Sequence, residues 1–345
     1  MTRSRARRLL PPLALGSVAA AALTGCGPDP GEPWAGPYVN VTAYPYFDFG
    51  AAAAGQSHTV LGFVVADPEE PCTPSWGGYY GLEEAETTLR MGEQIAALRE
   101  AGGDVVVSFG GAARDEPATA CADPEALLGA YRQVLNRYEV PVADFDVELN
   151  DLQDPAANQR RTEAVARLQE ERPAGTPLEV WLTLPVSPAG LSEDGEDVVA
   201  QMLAAGVDLA GVNVMTMNYG ESRPDGQSMV EASAEAARAA HGQVRELWAA
   251  AGQELSEEQA WRRIGLTPMI GVNDVPGEVV DPEAAAALNA FAREQGVGRI
   301  SYWSLNRDRP CTAEHGDPAE ANDFCSGLEQ EAGEFTRVLG QGFGD

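Results

Sequence analysis

Eight short apolar runs recur along the chain, at 38–44, 59–66, 104–109, 142–148, 179–184, 211–217, 264–270 and 299–305. Most are nearly continuous in hydrophobic residues, the pattern of parallel strands covered on both faces. Between them Ala, Leu, Glu, Arg and Gln recur at helical spacing. That spacing predicts helices over 83–101, 124–138, 155–171, 197–205, 230–251 and 282–295, and a last one over about 328–339. Eight strands, each followed by a helix or a long loop, predict an α/β fold: a closed (β/α)8 TIM barrel forming a single domain. The competing doubly wound open sheet usually has fewer strands and a Gly-rich phosphate turn, and no convincing GxGxxG occurs here.

In such a barrel, chemistry sits at the C-terminal ends of the strands. Those ends carry Tyr44, Ser108-Phe109-Gly110-Gly111, Glu148, Met215-Thr216-Met217-Asn218-Tyr219, Asn273-Asp274 and Trp303. The opposite ends are blander. The fourth run breaks the apolar rule, because in Asp144-Phe145-Asp146-Val147-Glu148 three acids alternate with apolar residues. Side chains two apart on a strand share a face, at a spacing of about 7 Å. Carboxylates that close raise at least one pKa, and such a row reads either as a solvated edge strand with its acids facing water or as a functional site.

Composition narrows the partners. All 23 basic residues are Arg, set against 53 acids, for a formal charge of −30. A surface this acidic repels nucleic acid and anionic lipid and suits an uncharged or cationic substrate. The first residues read as a processing signal. Arg3, Arg5, Arg7 and Arg8 precede an apolar run from Leu9 to Leu23, which ends in Thr24-Gly25-Cys26. Small residues before a Cys at that point resemble a bacterial lipoprotein signal. That resemblance implies removal of residues 1–25 and lipidation of Cys26, with 26–37, rich in Gly and Pro, as a tether. The remainder, 38–345, is the expected folded domain. It carries no further long apolar run, so the expected membrane contact is the lipid alone, on the outer face of the cell membrane, unless the chain is secreted.

Cys72, Cys121, Cys311 and Cys325 make an even set, as in exported proteins with two disulfides. Three connectivities are possible, and Cys72–Cys121 with Cys311–Cys325 is favoured. The second bridge closes a loop of about 15 residues, worth roughly 3 kcal/mol in the loop-entropy model. No CxxC occurs and His58, His241 and His315 are scattered, so neither a metal nor a cofactor is expected.

The remaining motifs are ambiguous singly. Ser108-Phe109-Gly110-Gly111 reads as a sharp strand-to-loop turn, and Ser108 lies in no GxSxG elbow. Trp303, Trp76, Tyr79 and Tyr80 read either as core or as flat platforms for a sugar ring. Met215 and Met217 share a face, as packing or as a pocket floor.

Together and in order, these pieces resemble the glycoside hydrolases of family 18, the chitinase family. Ser108-Phe109-Gly110-Gly111 is similar to its Ser-x-Gly-Gly on strand three. The strand-four motif Asp-x-x-Asp-x-Asp-x-Glu appears from Pro141 to Glu148, with Pro141 replacing the first Asp. Met215 to Gly220 is similar to the strand-six segment, and Tyr302 to Asp308 to the strand-eight Trp segment. The resemblance covers roughly 38–325 and implies hydrolysis of β-1,4-linked N-acetylglucosamine polymers such as chitin, with retention. The substrate's own N-acetyl oxygen is the nucleophile in that family, outside the two-carboxylate scheme.

The resemblance also assigns roles. Glu148 is the general acid and then the base. Asp146 holds the acetamido group, and Asp144 shares a proton with Asp146. Tyr219 and Asn218 hydrogen-bond the acetamide or Asp146, and Trp303 stacks beneath the sugar. Met215, Met217, Ser108, Gly110, Gly111, Tyr44 and Trp76 complete the expected binding site. Asn218 stands where many relatives carry Asp, which implies a shifted pH optimum. The chain is expected to act as a monomer. An endo-β-N-acetylglucosaminidase acting on glycoprotein or wall glycan would use the same residues. A non-catalytic sugar-binding barrel typically lacks the acid, which is present here. A two-lobed solute-binding protein is disfavoured by eight evenly spread strands.

Overall fold

Parallel strands need crossovers, and this chain starts its crossover helices with strong stop-start signals. Asp123, Asp154 and Asp281 each cap a helix and are each followed by Pro at its first position: Pro124–Arg137, Pro155–Glu170 and Pro282–Gln295. An Asp side chain satisfies the free N–H groups there, and Pro gives up only an N–H that has no helical partner. Ser192 and Ser228 do the same for Glu193–Ala204 and Met229–Ala250, the latter through a capping box with Glu231.

The computed structural model describes residues 31–53, 55–313 and 317–344. Cys26, the proposed signal and most of the tether lie outside the described residues, as does His315. Strand one is in two pieces, Trp34–Ala35 and Tyr38–Asn40. Strands two to eight are His58–Ala66, Asp104–Gly110, Val142–Asp146, Glu179–Ser187, Leu209–Met215, Ile264–Thr267 and Arg299–Ile300. Each pairs in parallel with its neighbour in sequence. The first piece of strand one pairs with strand eight and the second with strand two, which closes the ring. The fold is therefore the (β/α)8 barrel. A doubly wound open sheet and a two-lobed architecture are excluded by that closure.

Two apolar regions follow from the alternation of each strand. Ala143, Phe145 and Val147 point outward into the large core between sheet and helices. A smaller cluster of Trp34, Tyr38, Val60, Val106, Val142 and Trp181 fills the barrel. Two predicted helices differ from expectation. The 83–101 run is divided into Leu82–Thr88 and Met91–Glu100 by Arg90, whose φ of 54° no helix tolerates. The last helix is only Glu334–Leu339, with Asp308 accepting from Phe335 and Thr336 N–H at its start.

Cys72 is bonded to Cys121 and Cys311 to Cys325, with Cα separations of 4.7 and 5.0 Å. Both bridges staple loops on the C-terminal side of the strands. Among the described residues no helix is long and apolar enough to cross a membrane.

Candidate active site

Strand four threads its acids through three depths of the barrel. Val142 packs in the apolar floor, Asp144 lies above it, and Asp146 above that. The strand proper ends at Asp146, but Val147 N–H still donates to Thr183 O at 3.0 Å and extended backbone continues to Glu148, at φ −140° and ψ 168°. Glu148 then caps the short helix Leu149–Leu152, entered through Leu149 at φ 52°. This sharp turn brings Glu148 to the mouth of an open pocket of about 190 Å³. Asp146, Met215, Met217, Asn218 and Trp303 also line it, with Tyr38, Phe63, Ala112, Thr183, Thr267, Met269 and Asp274.

Asp144 is fully buried and accepts four hydrogen bonds. Tyr38 Oη at 2.8 Å and Ser108 Oγ at 2.7 Å donate to one oxygen. Thr183 Oγ1 at 2.7 Å and Arg299 Nη1 at 2.6 Å donate to the other. Arg299 itself is caged by the rings of Trp34, Tyr38 and Trp181, at 4.9, 5.5 and 5.5 Å. A carboxylate offers about four acceptor sites. No hydrogen bond links Asp144 to Asp146, which corrects the expectation that the two share a proton. Asp144 is an anchored member of a polar layer that continues through Thr183 to Asn213 and Thr267.

The two acids above that layer are held differently. Asp146 is 4% exposed, and its buried Oδ1 has no hydrogen-bond partner among the described residues. Burial, and then the neighbouring Glu148 and Asp144, push its carboxyl well above the usual range. Burial, and then the Asp151 carboxyl, push Glu148 up to about 7. Two adjacent acids are thus biased toward the protonated form, one at the floor of the pocket and one at its mouth.

Trp303 reaches the pocket because the pairing of strands seven and eight continues past their formal ends. Trp303 N–H donates to Pro268 O at 2.9 Å, and Ile270 N–H to Trp303 O at 2.9 Å. Its ring stacks on Phe63 at 5.6 Å between centroids. Gly110 and Gly111 do not line the pocket; Gly110 lets backbone close beneath it, and Gly111 leaves room for the Phe63 ring. A Cβ on Gly110 would stand 2.1 Å from Asp146 O, at a φ of 104° that already favours glycine. Ser108 acts through Asp144. Asn218, at φ 52°, lines the rim with its amide committed to the facing loop. It donates to Asp274 Oδ2 at 2.7 Å and accepts from Asp274 N–H at 3.1 Å.

Three expected contacts are corrected. Tyr219 is buried away from the pocket, with its hydroxyl on Ser233 Oγ at 3.4 Å and its N–H on Glu278. The left-handed turn at Asn218 swings it behind the wall. Trp76 is wholly buried and donates to Tyr138 Oη at 3.2 Å, so it is core. Tyr44 is 76% exposed and packs on Tyr46, outside the pocket lining. Conversely, Phe63, Thr183, Arg299 and Asp151 belong to the site or its support and carried no sequence motif. A signal existed for Asp151, one helical turn after Glu148. Another existed for Arg299, a lone cation in an apolar strand.

No family model matches the chain. It is 36% identical over 283 residues to a probable bifunctional chitinase/lysozyme of Escherichia coli strain K12, an alignment covering 79% of this chain and 31% of that protein. It is 35% identical over 284 residues to endochitinase 11 of Metarhizium anisopliae, covering 79% of this chain and 52% of that protein. The chain thus spans about a third and about half of the lengths of these two relatives. The catalytic domain of a hyperthermophilic chitinase from Pyrococcus furiosus superposes with a TM-score of 0.77 at 27% identity, covering 93% of this chain and 98% of that one. Catalytic-site mutants of its active domain 2, complexed with chito-oligosaccharides, match with a TM-score of 0.75 at 27% identity, over 91% of this chain and 95% of theirs.

Proposed function

We propose that the chain, which is similar to chitinases and resembles glycoside hydrolase family 18, hydrolyses β-1,4-linked N-acetylglucosamine polymers with retention of configuration. The observation that carries this reading is the pairing of Glu148 and Asp146. Glu148 is an acid pushed up to about 7 at the pocket mouth, above an Asp146 whose Oδ1 has no partner among the described residues.

The steps follow from those positions. Asp146 Oδ1 accepts the acetamido N–H of the sugar in the pocket and aligns its carbonyl oxygen with C1. That oxygen attacks C1 as the glycosidic C1–O bond breaks, and Glu148 passes its proton to the departing oxygen. Glu148, now a carboxylate, takes a proton from water as the water adds to C1 and the ring opens back to the acetamide. Trp303, braced by Phe63, supplies an apolar face for the sugar, and Met215 and Met217 fill the wall beside it. The two disulfides support work outside the reducing cytoplasm, and lipidation at Cys26 belongs to the same reading.

The test is turnover of chromogenic di- and tri-N-acetylchitooligosaccharides by wild type and Glu148→Gln. Turnover lost only in the variant supports the reading. Binding without turnover in both would make the barrel a sugar-binding protein. Equal turnover in both would remove Glu148 from the acid's role.

A further inference from the structure

Resting on the reading of Glu148 as the acid, we infer that Asp151 is a positioning residue that keeps Glu148 loaded with its proton before substrate arrives. Asp151 is the third residue of the helix that Glu148 caps, and its N–H donates to Glu148 O at 3.1 Å. That bond holds Asp151 one turn beyond Glu148, close enough for its charge to act on the Glu148 carboxyl. Asp151 is only 4% exposed, and water screens it little.

What matters is that the cations near this corner, among the described residues, are already paired. The guanidinium behind Asp151 is that of Arg161, which is fully buried and already spent. Its Nε and Nη2 donate to Glu116 Oε2 at 3.0 and 2.9 Å, and its Nη1 to Asn158 Oδ1 at 2.6 Å. Tyr131 Oη takes the other Glu116 oxygen at 2.5 Å. Asp151 receives the Glu116 backbone N–H at 2.9 Å, a donor that fixes its position without cancelling its charge. Below, Arg299 is paired with Asp144. Across the pocket stands another acid, Asp274.

Asp146, Glu148 and Asp151 therefore share a corner near which, among the described residues, Arg161 and Arg299 are paired with other carboxylates. Burial pushes the Asp151 carboxyl above its ordinary range as well, but the Glu116 N–H donor and the proximity of Arg161 offset part of that and favour its ionised form. Glu148 has no comparable partner among the described residues, so a second negative charge there is opposed by the first. Burial and Asp151, in that order, are the causes of the upward shift of Glu148. The Glu116–Arg161 pair thus acts at a distance from substrate: it holds the backbone that holds Asp151.

Asp151→Asn keeps the shape and the acceptor for Glu116 N–H but removes the charge. The carboxyl of Glu148 is followed by 13C NMR titration, assigned by its disappearance in Glu148→Gln, beside the pH profile of kcat/KM. In Asp151→Asn the Glu148 titration and the basic limb of the profile should both move to lower pH. For each unit moved, the rate above the limb falls about tenfold. Asp151→Glu, which restores a charge, should return the limb toward wild type, and Asp151→Ser serves if the Asn variant does not fold. An unchanged Glu148 titration in a folded, charge-removed variant overturns the inference. A wild type that cleaves no chitooligosaccharide would instead overturn the proposed function, and the titration would still decide the role of Asp151.

Discussion

Arg299 of the last strand and Asp144 of the fourth meet at 2.6 Å in the middle of the barrel, and neither side chain is exposed. Removing one partner of a buried ion pair strands the other charge, at a cost of about 3–5 kcal/mol. Arg299→Met should lose stability on that scale in urea denaturation, and Asp144→Leu combined with it should recover part of the loss. A single variant within about 1 kcal/mol of wild type would mean that the hydroxyl donors alone satisfy Asp144.

Glu148 should be costly to the fold at alkaline pH. Its folded pKa of about 7 lies above its ordinary value of 4.5, so the folded state holds the proton more tightly than the unfolded chain. Such a group contributes stability that is full below about 4.5 and lost as pH rises through 7. Glu148→Gln, which cannot ionise, should therefore melt a few degrees above wild type near pH 8, with the gap closing toward acid. Calorimetry across pH reads this without substrate, and a gap that widens toward acid would contradict it.

The same proton bears on rate. Wild-type kcat/KM should fall as pH rises past about 7, because the acid that protonates the leaving oxygen is then lost. A profile flat to about pH 9 would argue that another group donates.

Asn218→Asp tests the rim. The amide now donates to Asp274 at 2.7 Å. A carboxylate in its place meets Asp274 as a like charge and loses that donor. The expected outcome is a higher KM at neutral pH than at mildly acidic pH, where one of the two acids takes a proton. Superimposable wild-type and variant profiles would leave the Asn218–Asp274 bridge without influence on the pocket.

Gly110→Ala should abolish activity and destabilise the barrel, since the added Cβ meets Asp146 O at 2.1 Å at a φ of 104°. The clash is with backbone, not with a flexible side chain, so the strand carrying the acids must shift. Full activity in a folded Gly110→Ala protein would show that strand four has room to give.

Much of this was legible locally. The strand-four acids declared themselves through period-two alternation, and the Asp-Pro pairs marked helix starts. What failed was exposure. Trp76 reads equally as sugar platform or core packing, and Tyr219 was expected on the acetamide or Asp146. Burial against Tyr138 and the left-handed turn at Asn218 decided both. Phe63 sits in an apolar strand and reads as core, although its ring braces Trp303. Arg299 and Asp144 are 155 residues apart, and only ring closure makes them partners. Asp274 was visible at a strand end but gained meaning only opposite Asn218.

The polar layer draws Tyr38 from strand one, Ser108 from three, Asp144 from four, Thr183 from five and Arg299 from eight. Its wiring is therefore a lock with its key at the far end of the chain. A fragment stopping before strand eight would leave the acid of strand four facing an incomplete set of partners, so half-barrels of this protein should not serve as independent units. Complementation by a separately supplied C-terminal piece would be legible as the return of a single charge to its socket.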